Sequence, residues 1–253
     1  MINEDDKLPF TSHLEELRSR LITCFLAVFI GFGISYIFKE HLFQILIRPL
    51  VTVMGKGDKL VFTGLPEAFF TYLKVALLSG LMLAAPVILY QFWMFVAPGL
   101  YTRERRLLIP VVTLSSVFFV GGALFGYFIV FPFGFKFFLG FANETIRALP
   151  SMKEYLSFSS KLLLAFGLVF ELPLILTFMA RLGMVSVELL KKNRKYALIL
   201  FFIGAAILTP PDVVTQIMMA FPLMLLYEVS ILGARIFGKK KSDEDEAEDD
   251  NEI

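Results

Sequence analysis

The chain has 253 residues, of which 57% are hydrophobic and 19% are charged, and its mean hydropathy is +0.73. A soluble domain of this length carries more charge and far fewer than 29 phenylalanines, so the composition excludes one. Long apolar runs separated by short charged segments are typical of helical membrane proteins.

Six apolar runs predict an all-α, polytopic membrane protein with six transmembrane helices. An S-x-x-E pattern at Ser12 and Glu15 predicts the start of an amphipathic helix that leads into the first span. In the loop at 39–66, a short apolar stretch predicts a helix lying on the membrane surface. The predicted spans are residues 21–38, 69–93, 107–131, 158–180, 196–208 and 213–233.

The last two spans form a short hairpin, because only the turn Thr209–Asp212 separates them. A span of thirteen residues at about 1.5 Å each reaches roughly 20 Å, against roughly 30 Å for the hydrocarbon core of a bilayer. We predict one transmembrane domain over residues 1–238. The charged tail at 239–253 is predicted to be disordered and cytoplasmic.

Lysine and arginine counts predict the orientation, since these residues are enriched in cytoplasmic loops. With the N-terminus inside, the cytoplasmic segments hold 15 of them and the opposite segments hold 7. Both termini are therefore predicted to be cytoplasmic.

Motifs for catalysis and for cofactors are missing from the sequence. His13, His41 and the single cysteine, Cys24, do not have metal-ligand spacing, and neither HExxH nor G-x-S-x-G occurs. A near match to a phosphate-binding loop at 233–240 lacks its Ser/Thr and follows a membrane helix. We expect no enzymatic activity, no metal and no cofactor, so any transport that the protein performs has to draw its energy from an ion gradient or from partners.

Several polar positions have both a structural and a functional interpretation. Glu171, in the middle of a span, is either a functional acid or a neutral glutamic acid that supports the backbone opened by Pro173. Glu104 lies among three arginines, where a helix N-terminus also favours an acid. Asp212 is suited to cap the last span, but the nearby Thr215 and Gln216 go beyond what capping needs.

Five motifs in order along the chain resemble the TatC family, the integral subunits of the twin-arginine (Sec-independent) protein translocase. They are HLEELRSRL at 13–21, APVILYQFW at 85–93, FVAPGLYTRERR at 95–106, FGLVFELP at 166–173 and LTPPDVVTQIMMAFPLMLLYE at 208–228. The resemblance implies a glove- or bowl-shaped protein in the inner membrane of a prokaryote. It also implies a receptor for twin-arginine signal peptides of folded cargo, within a multimeric translocase driven by the proton-motive force.

The resemblance assigns roles to particular positions. Glu16 and Glu104 are implied as acidic partners of the arginine pair, within a signal-peptide surface that also includes Arg18, Arg20, Phe95, Pro98 and Tyr101. Glu171 corresponds to a buried acid on the concave side. The docking region for single-span, TatA- or TatB-like partner subunits is implied at Thr209, Asp212, Thr215 and Gln216.

Two other functions are compatible with the sequence. One is an ion-coupled transporter or channel for a small solute, with Glu171 as the relay, although the six spans show no clear inverted repeat. The other is an assembly scaffold without signal recognition. A transporter moves solute alone in liposomes, whereas a receptor subunit needs its partners.

Overall fold

The computed structural model describes residues 8–55, 60–62, 64–96, 108–143, 145, 148–208 and 213–238, and the side chains of these except 8–12 and 108. Apart from one bridge between Val61 and Ser151, the regular structure in these ranges is helical, which confirms the all-α fold class. The helices are α1 (Leu8–Ile37), α2 (Lys39–Val53), α3 (Glu67–Val96), α4 (Leu108–Phe125), α5 (Phe131–Leu139), α6 (Met152–Val169), α7 (Leu172–Arg181), α8 (Val187–Lys192), α9 (Arg194–Leu208) and α10 (Val213–Phe237).

Five helical stretches of the described chain are long and apolar enough to cross a membrane. They are His13–Ile37, Glu67–Val96, Ile109–Leu139, Met152–Arg181 and Val213–Phe237. These stretches correspond to the first four predicted spans and to the sixth. The fifth predicted span is the helix α9, whose 15 residues are fewer than these stretches have.

Four predicted helix ends are wrong. The fourth span begins at Met152 and not at residue 158. Helix α1 begins at Leu8, so Ser12 lies inside the helix and is not its N-cap. The third span continues to Leu139, because a π-helical segment, Gly126–Val130, precedes Pro132 and places it in the first turn of α5, where proline is tolerated. Helix α10 continues past Gly233 to Phe237.

Gly233 is a packing residue and not a helix terminator. A Cβ atom at this position would overlap the hydroxyl of Thr177 on α7. The glycine therefore lets α7 and α10 approach closely, as small residues do between membrane helices.

The fourth predicted span is interrupted where the sequence places a proline. Helix α6 ends at Val169 and α7 begins at Leu172, with Pro173 in its first turn. Proline lacks the N–H that would bond to the carbonyl four residues earlier, which is that of Val169.

The structure separates into two compact units, residues 1–168 and 169–253. We describe each by itself, and the single-domain prediction stays a prediction. In the first unit α1 crosses α3 at Gly31 and Gly80, where a Cβ on Gly31 would lie 2.5 Å from the carbonyl oxygen of Gly80. The buried Trp93 of α3 donates a hydrogen bond from Nε1 to Ser115 Oγ of α4 at 3.0 Å.

The predicted short helix in the first loop is confirmed as α2, and it contains an internal proline. Pro49 has no N–H, so the carbonyl of Ile45 lacks its usual helical donor. The Tyr127 hydroxyl donates to that carbonyl at 2.6 Å, and the Tyr155 hydroxyl donates to the carbonyl of Leu46. That α2 lies on the membrane surface stays a prediction.

In the second unit, α7, α8, α9 and α10 enclose a small apolar core. Its buried members are Ala180, Leu190, Tyr227, Ile231 and Ala234. The Tyr227 hydroxyl donates to the carbonyl of Leu190 at 2.9 Å, and an ion pair of 2.6 Å joins Arg194 of α9 to Glu228 of α10. The turn after α7 uses Gly183 with φ of 74°, a conformation that glycine adopts without steric cost.

Candidate functional site

Five side chains meet where the N-terminal part of α1 lies beside the C-terminal end of α3. Nε and Nη2 of Arg20 both donate to Glu16 Oε1, the first at 3.0 Å, and Nη1 donates to Gln91 Oε1 at 3.0 Å. His13 stacks on Phe95 with ring centroids 4.3 Å apart and planes 15° apart. We call these residues, His13, Glu16, Arg20, Gln91 and Phe95, the entry cluster.

Helical spacing explains why these side chains converge. His13, Glu16 and Arg20 are three and four residues apart, so they share one face of α1. Gln91 and Phe95 are four residues apart and share one face of α3. The two faces are held together where α1 runs along α3.

The entry cluster presents a carboxylate beside an aromatic ring at the end of an apolar segment. The Glu16 side chain is 33% exposed and that of Arg20 is 18% exposed. Arg20 uses only Oε1 of Glu16, and Oε2 lies 3.8 Å from His13 Nδ1. Oε2 can therefore accept a hydrogen bond from a further cationic donor, and the ring pair offers a surface on which a guanidinium group can stack.

The structure brings together three of the predicted signal-peptide residues, Glu16, Arg20 and Phe95. Arg18 is exposed and lies on a different face of α1. The remaining three predicted residues, Pro98, Tyr101 and Glu104, lie outside the described residues.

Sequence reasoning missed two members of the entry cluster and a further charged residue. The spacing of His13 to Glu16 and Arg20 was visible in the sequence, and so was Gln91 as a polar residue in an apolar run. Lys161, an exposed residue inside α6, was overlooked, although a charge within an apolar span is itself a signal.

Glu171 lies at the interruption between α6 and α7 and is 4% exposed. Its backbone carbonyl accepts hydrogen bonds from the amides of Leu174 at 3.0 Å and Ile175 at 2.9 Å, so the residue forms part of the first turn of α7. An acid is thus buried at the point where Pro173 breaks the helix. This geometry is compatible with both interpretations made from the sequence.

The predicted docking region is described in part, since Thr209 and Asp212 lie outside the described residues. Thr215 is 4% exposed, and Gln216 donates from Nε2 to the carbonyl of Phe202 at 2.9 Å. The side chain of Gln216 lies at a wide, open groove of about 470 Å³ along α9 and α10. The other residues lining the groove are all apolar: Leu198, Ile199, Phe202, Ile203, Ala206 and Ile207.

Comparison with known proteins identifies the family. The profile of the Sec-independent protein translocase protein (TatC) matches residues 12–222. The Sec-independent protein translocase protein TatC of Desulforapulum autotrophicum is 67% identical, covering 100% of this chain and 94% of that protein. The protein of the same name from Escherichia coli K12 is 38% identical, covering 95% of this chain and 94% of that protein.

A solved structure agrees with the sequence comparisons. A crystal structure of the twin-arginine translocase receptor TatC is 41% identical, with a TM-score of 0.80 over 89% of this chain and 99% of that chain. A second crystal structure of that receptor, in the detergent DDM, has a TM-score of 0.81. The chain therefore belongs to the TatC family, and it is a membrane component of the Sec-independent, twin-arginine protein translocase that works with partner subunits.

Proposed function

We propose that this chain is the receptor that binds twin-arginine signal peptides, and the core subunit of a translocase driven by the proton-motive force. In this proposal it lies in the inner membrane with both termini cytoplasmic and exports folded proteins. The observation that carries the proposal is the entry cluster, in which a partly exposed carboxylate and an aromatic ring lie beside the start of an apolar span.

Arginine suits this site better than lysine. A guanidinium group binds a carboxylate through two parallel hydrogen bonds and stacks on aromatic rings, whereas an ammonium group is a compact point charge. One arginine of the signal would bind Glu16 through Oε2 and lie over the ring of Phe95. The second would bind Glu104, and the apolar part of the signal peptide would continue along the neighbouring helices.

Photocrosslinking tests the receptor function. A photoreactive phenylalanine analogue at Phe95 is expected to capture a twin-arginine precursor, and to capture the matched twin-lysine precursor about tenfold less, because lysine cannot form the paired hydrogen bonds. The products are quantified on gels after irradiation of the purified membrane protein.

Phe133 is the matched control position, since it is a phenylalanine of α5 that is 63% exposed and is not a member of the entry cluster. Equal capture of both precursors at position 95, or equal capture of the twin-arginine precursor at positions 95 and 133, would contradict the proposal.

We also propose that the groove along α9 and α10 binds the single helix of a TatA- or TatB-like partner, within a complex of several copies. Helix α9 has 15 residues and a length of about 22 Å, so it is shorter than the roughly 30 Å hydrocarbon core. A longer partner helix beside it would span the thickness that α9 leaves unfilled. The groove supplies apolar contact, and Gln216 supplies a polar side chain within it.

Gln216→Leu is expected to weaken partner binding by about three- to tenfold, since hydrogen bonds between membrane helices contribute roughly that much. Co-purification of tagged partner at several expression levels measures the change. Ile217→Leu is the control, because Ile217 follows Gln216 on α10, is 51% exposed and lies outside the groove. Partner binding that is unchanged in Gln216→Leu would count against this contact.

A further inference from the structure

A cavity of about 380 Å³ lies in the first unit between the beginning of α3 and the beginning of α6. It is distinct from the entry cluster, which contains the opposite end of α3. Its charged lining residues are Glu67, Lys74 and Lys153. A cavity of this size is within the range of pockets that bind small molecules.

The carboxylate of Glu67 holds the wall of this cavity together. Its Oε2 accepts a hydrogen bond from the Gly64 amide at 3.2 Å, and its Oε1 accepts from Ser151 Oγ and from the Lys153 amide, both at 3.0 Å. The bridge between Val61 and Ser151 fastens the same two segments. Both oxygens of the carboxylate therefore have donors from the backbone and from serine.

Unlike the carboxylate of Glu67, the ammonium groups of the two lysines in the cavity do not hold the wall together. Both side chains are exposed, and neither ammonium group has an ion pair or hydrogen bond among the described residues. The N-terminal ends of α3 and α6, two helices of 30 and 18 residues, also border the cavity and add positive partial charge. The balance of charge in the cavity therefore favours an anion.

The position of Lys74 indicates which anion can reach it. Lys74 is seven residues into a membrane-spanning helix, about 10 Å from its first residue. Large apolar side chains near it are exposed: Phe69 by 55%, Phe70 by 53% and Leu77 by 46%. From this distance to the helix start we expect the ammonium group to lie near the boundary between lipid headgroups and acyl chains, where lysine extends its charge toward the headgroups.

We propose that this cavity binds the phosphodiester of an anionic phospholipid, in the leaflet where α3 begins, through Lys74 and Lys153. The lipid chains then lie against the exposed apolar side chains of α3. The site is separate from signal recognition and does not depend on the proposed receptor function.

Native mass spectrometry of the full-length protein, titrated with phosphatidylglycerol in detergent, tests the proposal. The double variant Lys74→Gln, Lys153→Gln is expected to bind this lipid about 25-fold more weakly, since each of the two basic residues near a membrane surface contributes about fivefold. Phosphatidylcholine, which has no net charge, is expected to bind more weakly than phosphatidylglycerol to the unchanged protein.

The matched control is Lys39→Gln, Lys136→Gln, which removes the same charge from lysines outside the cavity. An equal loss in both double variants, or no loss in the first, would overturn the proposal. Displacement of the lipid by soluble glycerol phosphate at equal concentration would overturn the assignment to a membrane lipid. Lost binding of a partner subunit with unchanged lipid binding would assign the lysines to an acidic protein group and also overturn it. The two single lysine variants are measured as well, so that a folding defect in the double variant leaves the test intact.

Discussion

Glu16→Gln is expected to weaken the binding of a twin-arginine peptide by about tenfold or more. The change keeps the size of the side chain but removes the charge that attracts a guanidinium group, and a charged acceptor forms much stronger hydrogen bonds than an amide. Arg20 also loses its carboxylate partner, so it becomes an uncompensated cation that repels the arginine pair. Fluorescence anisotropy with a labelled signal peptide measures the dissociation constant.

Glu15→Gln is the matched control for this change. Glu15 is the neighbouring residue on α1, carries the same charge and is exposed, but it lies on a different face of the helix from Arg20 and His13. We expect its variant to bind almost as well as the unchanged protein. Equal losses in the two variants would show a general effect of net charge, and unchanged binding in Glu16→Gln would remove this carboxylate from the site.

Gly80→Ala is expected to lower the free energy of unfolding by about 1–3 kcal/mol, near the upper end of that range. A Cβ on Gly80 would overlap the backbone of Phe32 in α1, and backbone atoms cannot move aside as a flexible side chain does. The better helix propensity of alanine offsets about 1 kcal/mol at most. Denaturation in mixed detergent micelles, followed by circular dichroism, measures the change.

Gly33→Ala is the matched control, because Gly33 is on α1 two residues from Gly31 and a Cβ there would meet no atom within 4 Å. We expect this variant to be as stable as the unchanged protein or slightly more stable. If the alanine variants of Gly80 and Gly33 unfold at the same denaturant concentration, the crossing of α1 and α3 does not depend on a missing side chain.

The positions of the long helices were predictable because apolar runs of span length leave few alternatives. Their ends were not, and two examples show why. The sixth predicted span ends at Gly233, but this glycine lies inside α10 and provides space for Thr177, which is 56 positions away in the chain. The third predicted span ends at residue 131, just before Pro132, but the π-helical segment before this proline lets the helix continue.

The candidate site was predictable only in part. The shared helical face of Glu16 and Arg20 follows from their spacing, and the place of Phe95 beside them followed from the family resemblance and not from any periodicity. The hydrogen bond between Arg20 and Gln91 joins residues 71 positions apart, so it depends on how α1 packs on α3. Lys74 and Lys153 lie on two different helices, so their place in one cavity also depends on packing and could not be predicted from the sequence.

The completion of α2 by two tyrosines has a consequence for the order of biogenesis. The carbonyls of Ile45 and Leu46 are synthesised early, whereas the hydroxyls that bind them belong to residues 127 and 155. Until residue 127 has left the ribosome and its segment has inserted, the carbonyl of Ile45 must bind water or headgroups instead. Although it comes second in the chain, α2 is expected to reach its final position only after α6 has entered the bilayer.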